Sequence, residues 1–469
     1  MSETEKNIRN DLFYQQKNGY DLMDTEERLE LERYCGEYMN YLNVSRTERE
    51  AVREGIALAE SKGFVPYEKG MALTRGTKVY LNNRDKSLLL AVMGEKPLSF
   101  GANIAAAHVD APRLDLKQIP LYEDSELCYF KTHYYGGIKK YQWVTLPLAL
   151  HGVVVKKDGT VVEICIGEAE GDPVFCVTDL LIHLSQEQMK KNAAKVIEGE
   201  DLDILVGNYP LKDGEKESVK AGVLKLIEEQ YGIEEEDFLS AELVLVPAGR
   251  ARDLGFDRSM ILAYGQDDRV CAYTSLVAML ESDGARQRTS CCLLVDKEEI
   301  GSVGATGMQS HFFENILAEL MNACGQYSEL GLRRCLANSK MLSSDVSSAY
   351  DALYASAYDK KNVAYLGRGM VFNKFTGARG KSGSNDANAE YLGEIRRMLE
   401  KHDVHFQLAE LGRVDLGGGG TIAYIMSLYG MQVIDSGVGV LSMHAPWEAT
   451  SKVDIYETKK GYMAFLAEA

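Results

Sequence analysis

The chain opens with two stretches whose apolar residues recur at helical spacing. "DTEERLELERYCGEYMNYL" starts at Asp24, a residue suited to cap a helix N-terminus, and predicts a first helix. A second follows "SRTE", where Ser45 and Glu48 have capping-box spacing, and stops at Gly63. Then the texture changes. "KSLLLAVMG" and "GANIAAAHVDAPRLDL" are short apolar runs edged by glycine and proline, the pattern of strands in a largely buried sheet. "VVVKKDGTVVEICIG" predicts a β-hairpin, with Asp158 and Gly159 supplying the turn.

From residue 113 to 252 the pattern is hairpins, acidic segments such as "EGEDLD" and "EEED", and one helix-like stretch from Asp179. Beyond it helix and strand alternate. "VCAYTSLVAMLE" reads as helix, "TSCCLLVDKEE" as strand, "FFENILAELMNACG" as helix and "KMLSSDV" as the end of a strand. "MQVIDSGVGVLSMH" reads as strand and loop, and "SKVDIYETKKGYMAFLAEA" as a closing helix. This predicts an α/β protein with a mixed β-sheet and helices on both of its faces. Residues 1–112 and 253–469 would form that body, and residues 113–252 a β-rich domain inserted into it. There is no internal repeat and no low-complexity tract.

Length agrees with two domains, since 469 residues exceed the usual span of one. The formal charge of -18 repels polyanions, so neither nucleic acid nor an anionic membrane is expected as a partner. "MSETEKNIRNDLFYQQ" lacks the apolar core of a secretion signal, and "WVTLPLALHGVVV" is too short and broken to cross a bilayer. A cytoplasmic location is expected. The nine cysteines are odd in number and lack C-x-x-C spacing. They predict reduced thiols, with Cys291 and Cys292 packed in the core.

The residues able to carry chemistry are His108, Asp110, Asp267, Asp268, Glu298, Glu299, Asp345 and His444. Each sits where an apolar run gives way to a loop, the place where α/β sheets hold ligands. Residues two apart on a strand share a face, so His108 and Asp110 can enter one pocket while Val109 points away. A carboxylate beside a ligating imidazole fixes its tautomer. Neighbours on an extended chain face opposite ways, so one of Glu298 and Glu299 can ligate a metal while the other faces water as a general base. Singly, each feature has a plainer reading as a surface His-x-Asp or a solvated turn. Together, two imidazoles and three carboxylates from five segments would satisfy two divalent ions sharing one carboxylate.

The five segments "HVDAP", "GQDDR", "EEIGS", "SSDVS" and "SMHAP" stand in this order. In that order and over nearly the whole chain, the sequence resembles the aspartyl aminopeptidases, the zinc aminopeptidase I type of the dinuclear-zinc exopeptidases. The resemblance implies a metal-dependent aminopeptidase acting on peptides. It makes His108 and Glu299 ligands of individual metals, Asp267 the bridging carboxylate, and Asp345 and His444 the other terminal ligands. It further makes Glu298 the general base and Asp110 the carboxylate behind the site, with Asp268 as structural support. It implies two divalent ions per chain, zinc first with cobalt or manganese as alternatives. It also implies a homo-oligomer, dimerising through the inserted domain and assembling into a dodecamer.

The chain departs from that pattern at three places. Ser348, Trp447 and Asp179 stand where members preferring an N-terminal aspartate carry histidine, arginine and histidine; His183 matches a second histidine of the last segment. An acidic and a neutral first substrate residue therefore both stay open. Lys374, Arg379 and Lys381 in "FNKFTGARGKSGSND" fall where the family builds part of its substrate pocket, although a solvated glycine-rich loop would look the same. "DLGGGGTIAY" lacks the lysine and hydroxyl residue of a phosphate-binding loop and is expected to be a tight turn. "HYYGGI" resembles a family segment near the active-site mouth, while His133, His151, His402 and His405 receive no role. Two other readings of the whole remain: a related metallo-carboxypeptidase or amide deacylase, and a non-catalytic oligomeric scaffold.

Overall fold

The computed structural model describes residues 12–211, 216–282 and 286–468. A nine-stranded mixed sheet runs through its centre. The four middle strands, Thr289–Val295, Ala102–His108, Lys340–Ser344 and Gln432–Gly437, are parallel to one another. Their C-terminal ends therefore open on one edge.

Alternation along these strands builds a core on each face. Leu88, Leu90, Cys292 and Leu294 pack with the helices Thr25–Val44, Glu48–Ser61, Gln266–Glu281 and Lys452–Glu468. Leu89, Ala91, Cys291 and Leu293 pack on the other side with Phe312–Ala323 and Glu329–Asn338. Helices thus cover both faces, as expected. The adjacent cysteines are both fully buried and point to opposite cores.

Six antiparallel strands form a second sheet, ordered Val161–Ile166, Leu148–Val155, Ala241–Pro247, Arg113–Asp124, Leu127–Tyr135, Ile204–Gly207. The hairpin turn at Asp158 and Gly159 is present, with Gly159 at φ 88° where a side chain would be strained. The helix-like stretch from Asp179 is not a helix. It contains only the short 3-10 turns Ile182–Leu184 and Gln188–Lys190. Leu180, Leu181, Ile182 and Leu184 are all exposed, so no apolar stripe is buried to hold a helix against the sheet. The helix of this region is instead Ser218–Tyr231.

The opening helices are where the sequence places them, but one cap moves. Asp24 and Glu27 form the capping box of the first helix. For the second, Thr47 and Glu50 form the box, in place of Ser45 and Glu48. Glu48 is unavailable because its buried carboxylate pairs with Arg113 at 2.9 Å.

A third sheet, of five short strands, was not anticipated. It joins Arg252–Leu254, Met260–Ala263, Glu448–Ser451, Gly439–Leu441 and Ser347–Ser348. These strands lie immediately beside Asp267, His444 and Asp345 in the chain. The small sheet therefore fixes three segments that the central sheet alone would leave as loops.

Candidate metal centre

His108 ends a central strand, and its ring is only 2% exposed. Its Nδ1 lies 3.1 Å from the carbonyl oxygen of Asp110 and 3.3 Å from the Asp110 carboxylate. That leaves Nε2 directed into the pocket, 3.3 Å from Asp267 Oδ1 and 3.8 Å from Asp345 Oδ1. Asp267 turns its other oxygen, Oδ2, to His444 Nε2 at 3.2 Å. His444 Nε2 also lies 3.7 Å from Glu299 Oε2, and its Nδ1 is 2.9 Å from the Gly137 carbonyl.

Two clusters result, His108–Asp267–Asp345 and Asp267–Glu299–His444. In each, one donor atom per residue lies within 4.8 Å of the others. Asp267 belongs to both.

Asp110 organises the segment that carries the paired glutamates. Its Oδ1 accepts the Glu298 amide and its Oδ2 the Glu299 amide, each at 3.2 Å. Oδ2 also accepts the Tyr135 hydroxyl at 2.9 Å. The expectation that strand geometry separates Glu298 from Glu299 is corrected. The strand stops at Val295, Lys297 turns at φ 72°, and Glu298–Ile300 is a 3-10 turn. The two carboxylates still diverge, Glu298 toward His108 Nε2 at 3.9 Å and Glu299 toward His444. Glu298 is 17% exposed and Glu299 3%, so Glu298 is the one on the open side.

Asp268 Oδ2 accepts the backbone amide of His108 at 3.3 Å. Sequence reasoning missed Glu448, a buried carboxylate whose Oε2 accepts the Asp267 amide at 3.0 Å and whose Oε1 accepts the His444 amide at 2.8 Å. The signal available was an acidic residue opening the short strand Glu448–Ser451 directly after "SMHAPW". "HYYGGI" does reach the site. A Cβ at Gly136 would come within 3.2 Å of Glu299, and one at Gly137 within 3.4 Å of His444 Nδ1.

Charge in the pocket is unbalanced. Burial, then repulsion by Asp267, holds Glu299 well above the carboxylate range, and the same two causes raise Glu298 against the pull of His108. Burial and Asp268 raise Asp345 well above its ordinary value. Burial opposes the charged form of His108, yet contacts with Asp110 and Asp267 hold it well above the histidine range. Glu299 Oε1 is buried without a hydrogen-bond partner. Excess negative charge, an orphaned carboxylate oxygen and an oxygen and nitrogen donor set together fit divalent cations of the zinc type.

Lys374 and Lys381 do not join this cluster; both pair with Asp386, Lys381 at 3.0 Å. Arg379 and Lys381 line a depression of about 50 Å³ with Glu410, Arg413 and Asp415. Ser348 Oγ lies 3.2 Å from the Tyr358 hydroxyl, and the Trp447 ring lies against Gly249, 3.2 Å from where a Cβ would be. Asp179 accepts from Gln188 at 2.9 Å. Among Gly417 to Gly420, a Cβ at Gly417 would lie 1.7 Å from the Leu411 carbonyl and one at Gly418 2.1 Å from the Gly377 carbonyl, the close backbone approach of a tight turn.

Comparison with known proteins identifies the family. Residues 41–466 match the family model described as aminopeptidase I zinc metalloprotease (M18). A protein of Clostridium acetobutylicum named "Probable M18 family aminopeptidase 1" is 60% identical over 462 residues, covering 97% of this chain and 99% of that protein. The crystal structure of the M18 aminopeptidase of Thermotoga maritima superposes with a TM-score of 0.94 at 42% identity, over 97% of this chain and all of that one. That of aminopeptidase I from Clostridium acetobutylicum gives 0.91 at 55% identity, with the same coverage. The chain thus belongs to the M18 zinc metalloprotease family and is a metal-dependent aminopeptidase.

Proposed function

We propose that this aminopeptidase works through a dinuclear site in which His108 and Asp345 hold one divalent ion, Glu299 and His444 a second, and Asp267 lies between them. The observation that carries this reading is the placement of Asp267. Its two carboxylate oxygens face different imidazoles, His108 at 3.3 Å and His444 at 3.2 Å. Zinc is the proposed metal, since the donors are nitrogen and oxygen and the family description names zinc. When bound, such cations supply Lewis acidity that acidifies a water and polarises a peptide carbonyl.

The chain's own residues do the rest. Glu298, on the open side, accepts the proton of the attacking water at its carboxylate and returns it to the leaving amine. Asp110 holds the Glu298 and Glu299 amides and the His108 ring, so the base and two ligands keep one geometry. The substrate's free α-amine binds beside the acidic cluster, and this restricts cleavage to the first residue. Glu298→Gln tests the assignment. Turnover should collapse while the metal content stays at the wild-type value. Wild-type turnover in that variant would remove Glu298 from the role of base.

The first substrate residue is neutral in this reading, because Lys374 and Lys381 are already committed to Asp386. Residues 113–252 are proposed as an inserted dimerisation domain of a homo-oligomer. The exposed apolar run of Leu180, Leu181, Ile182 and Leu184 supports that reading, since such runs mark interfaces. A cytoplasmic location agrees with nine free cysteines, Cys291 and Cys292 among them. No described helix is long and apolar enough to cross a membrane.

A further inference from the structure

We propose that Glu50, His151 and Cys165 form a separate, thiol-containing site for a zinc-like divalent cation. His151 and Cys165 are directly opposed partners on the antiparallel strands Leu148–Val155 and Val161–Ile166, so their side chains emerge on one face of the sheet. Glu50 comes from the helix Glu48–Ser61, which packs on the central sheet. One donor atom from each of the three lies within 4.8 Å of the other two.

Each donor is prepared for the task. The Glu50 carboxylate is fixed by the helix start, its Oε2 accepting the amides of Arg46 at 2.8 Å and Thr47 at 3.0 Å. Its Oε1 then faces His151 Nδ1 at 2.9 Å. His151 is 1% exposed, yet its Nε2 has no hydrogen-bond partner. An imidazole set between two carboxylates, Glu50 and Glu168, calls for positive charge, either a proton on the ring or a cation beside it. Glu168 Oε1, 3.4 Å from that nitrogen, is likewise buried without a hydrogen bond.

The surroundings attract positive charge. Burial works against a charged His151, but contacts with Cys165, Glu168 and Glu50 push it up to about 11. A divalent cation competes with that proton for the same electrons. Arg46 Nε, 3.1 Å from Glu168, offsets one carboxylate but reaches neither Glu50 Oε1 nor Cys165 in the contacts described.

Sulfur, imidazole nitrogen and carboxylate oxygen form a donor set suited to zinc, with a fourth position open to water and Glu168 facing the other ring nitrogen. Binding would release protons from the Cys165 thiol and the His151 ring. Cys165 is exposed and Glu50 and Cys165 line a cleft of about 580 Å³, which supplies an entry path. A cation here would clamp the helix Glu48–Ser61 to the six-stranded sheet. This site shares no residue with the dinuclear cluster.

Cobalt substitution of the intact enzyme tests the proposal. The dinuclear cluster offers only imidazole and carboxylate, so a near-ultraviolet thiolate-to-cobalt band would report this site alone. The band is expected in the wild type and absent from Cys165→Ser, with peptidase activity equal in both. Zinc analysis at equilibrium should give one ion fewer per chain in Cys165→Ser. A wild-type protein without the band, a band that survives Cys165→Ser, or equal zinc in the two proteins would overturn the assignment.

Discussion

Glu448 holds the backbone of Asp267: its Oε2 accepts the Asp267 amide at 3.0 Å, from a strand of the small third sheet. The same carboxylate's Oε1 accepts the His444 amide at 2.8 Å. One side chain therefore fixes the backbones of Asp267 and His444 relative to each other without a hydrogen bond to either side chain. Glu448→Ala should release both amides and loosen the Asp267–His444 pair. Groups supporting metal ligands typically account for about 10- to 100-fold in affinity or activity. Zinc titration of the variant should show a loss of that order, and kcat/KM should fall with it at limiting zinc. Unchanged zinc affinity would show that Asp267 and His444 hold their places without Glu448.

Glu298 and Glu299 should separate cleanly by mutation. Glu298→Gln keeps the shape and removes the proton acceptor, so kcat should drop by about 10²- to 10⁴-fold with zinc retained. Glu299→Gln alters a carboxylate that is 3% exposed and 3.7 Å from His444, so zinc content should fall along with activity. Chelator should inactivate the wild type, and added zinc should restore it. Metal analysis beside steady-state kinetics reads all three results.

Much of this was legible because it was local. Helical spacing with Asp24, turn residues at Asp158 and Gly159, and apolar runs ending at His108 and Val295 each encode their element within a few neighbours. The third sheet was illegible for the converse reason. Its strands are two to four residues long, and the pairings that close it, Ser347–Ser348 with Gly439–Leu441 and Met260–Ala263 with Glu448–Ser451, join segments far apart in the chain. Glu448 was missed with it, because a lone carboxylate acquires meaning only from the amides it meets. The Ser45 and Glu48 spacing misled since Arg113, far along the chain, takes the Glu48 carboxylate. Glu298 and Glu299 were read as divergent for the wrong local geometry, a strand in place of a 3-10 turn.

Stability should depend on pH through Asp435. Burial pushes its carboxyl up to about 7 from an ordinary 3.8, against the hydrogen bond from Thr421. Between those values the folded state binds more protons than the unfolded one. Stability from this group is therefore fully present below about 4 and is lost as pH rises through 7. The gap corresponds to roughly 4 kcal/mol at most. Asp435→Asn removes the titration while its amide oxygen can still accept from Thr421. The variant should gain on the wild type as pH rises from 4 to 8, measured as the difference in urea midpoints. Parallel curves across that range would show that Asp435 titrates normally.

Asp386 should control whether acidic first residues are accepted. It pairs with Lys374 and, at 3.0 Å, with Lys381, so a substrate carboxylate meets two lysines whose charge is already partly offset by one shared carboxylate. The pairs are partly exposed, with lysine side chains 38% and 44% accessible, and such contacts are worth about 1 kcal/mol or less. Asp386→Asn would free both ammonium groups in the loop proposed to border the substrate. The ratio of kcat/KM for aspartyl over leucyl substrates should then rise, by up to about five-fold for an interaction of that size. Salt should suppress the gain, since exposed charge interactions are screened. A ratio unaltered by Asp386→Asn at low salt would place Lys374 and Lys381 away from the bound first residue and leave the preference to the residues around Trp447 and Ser348.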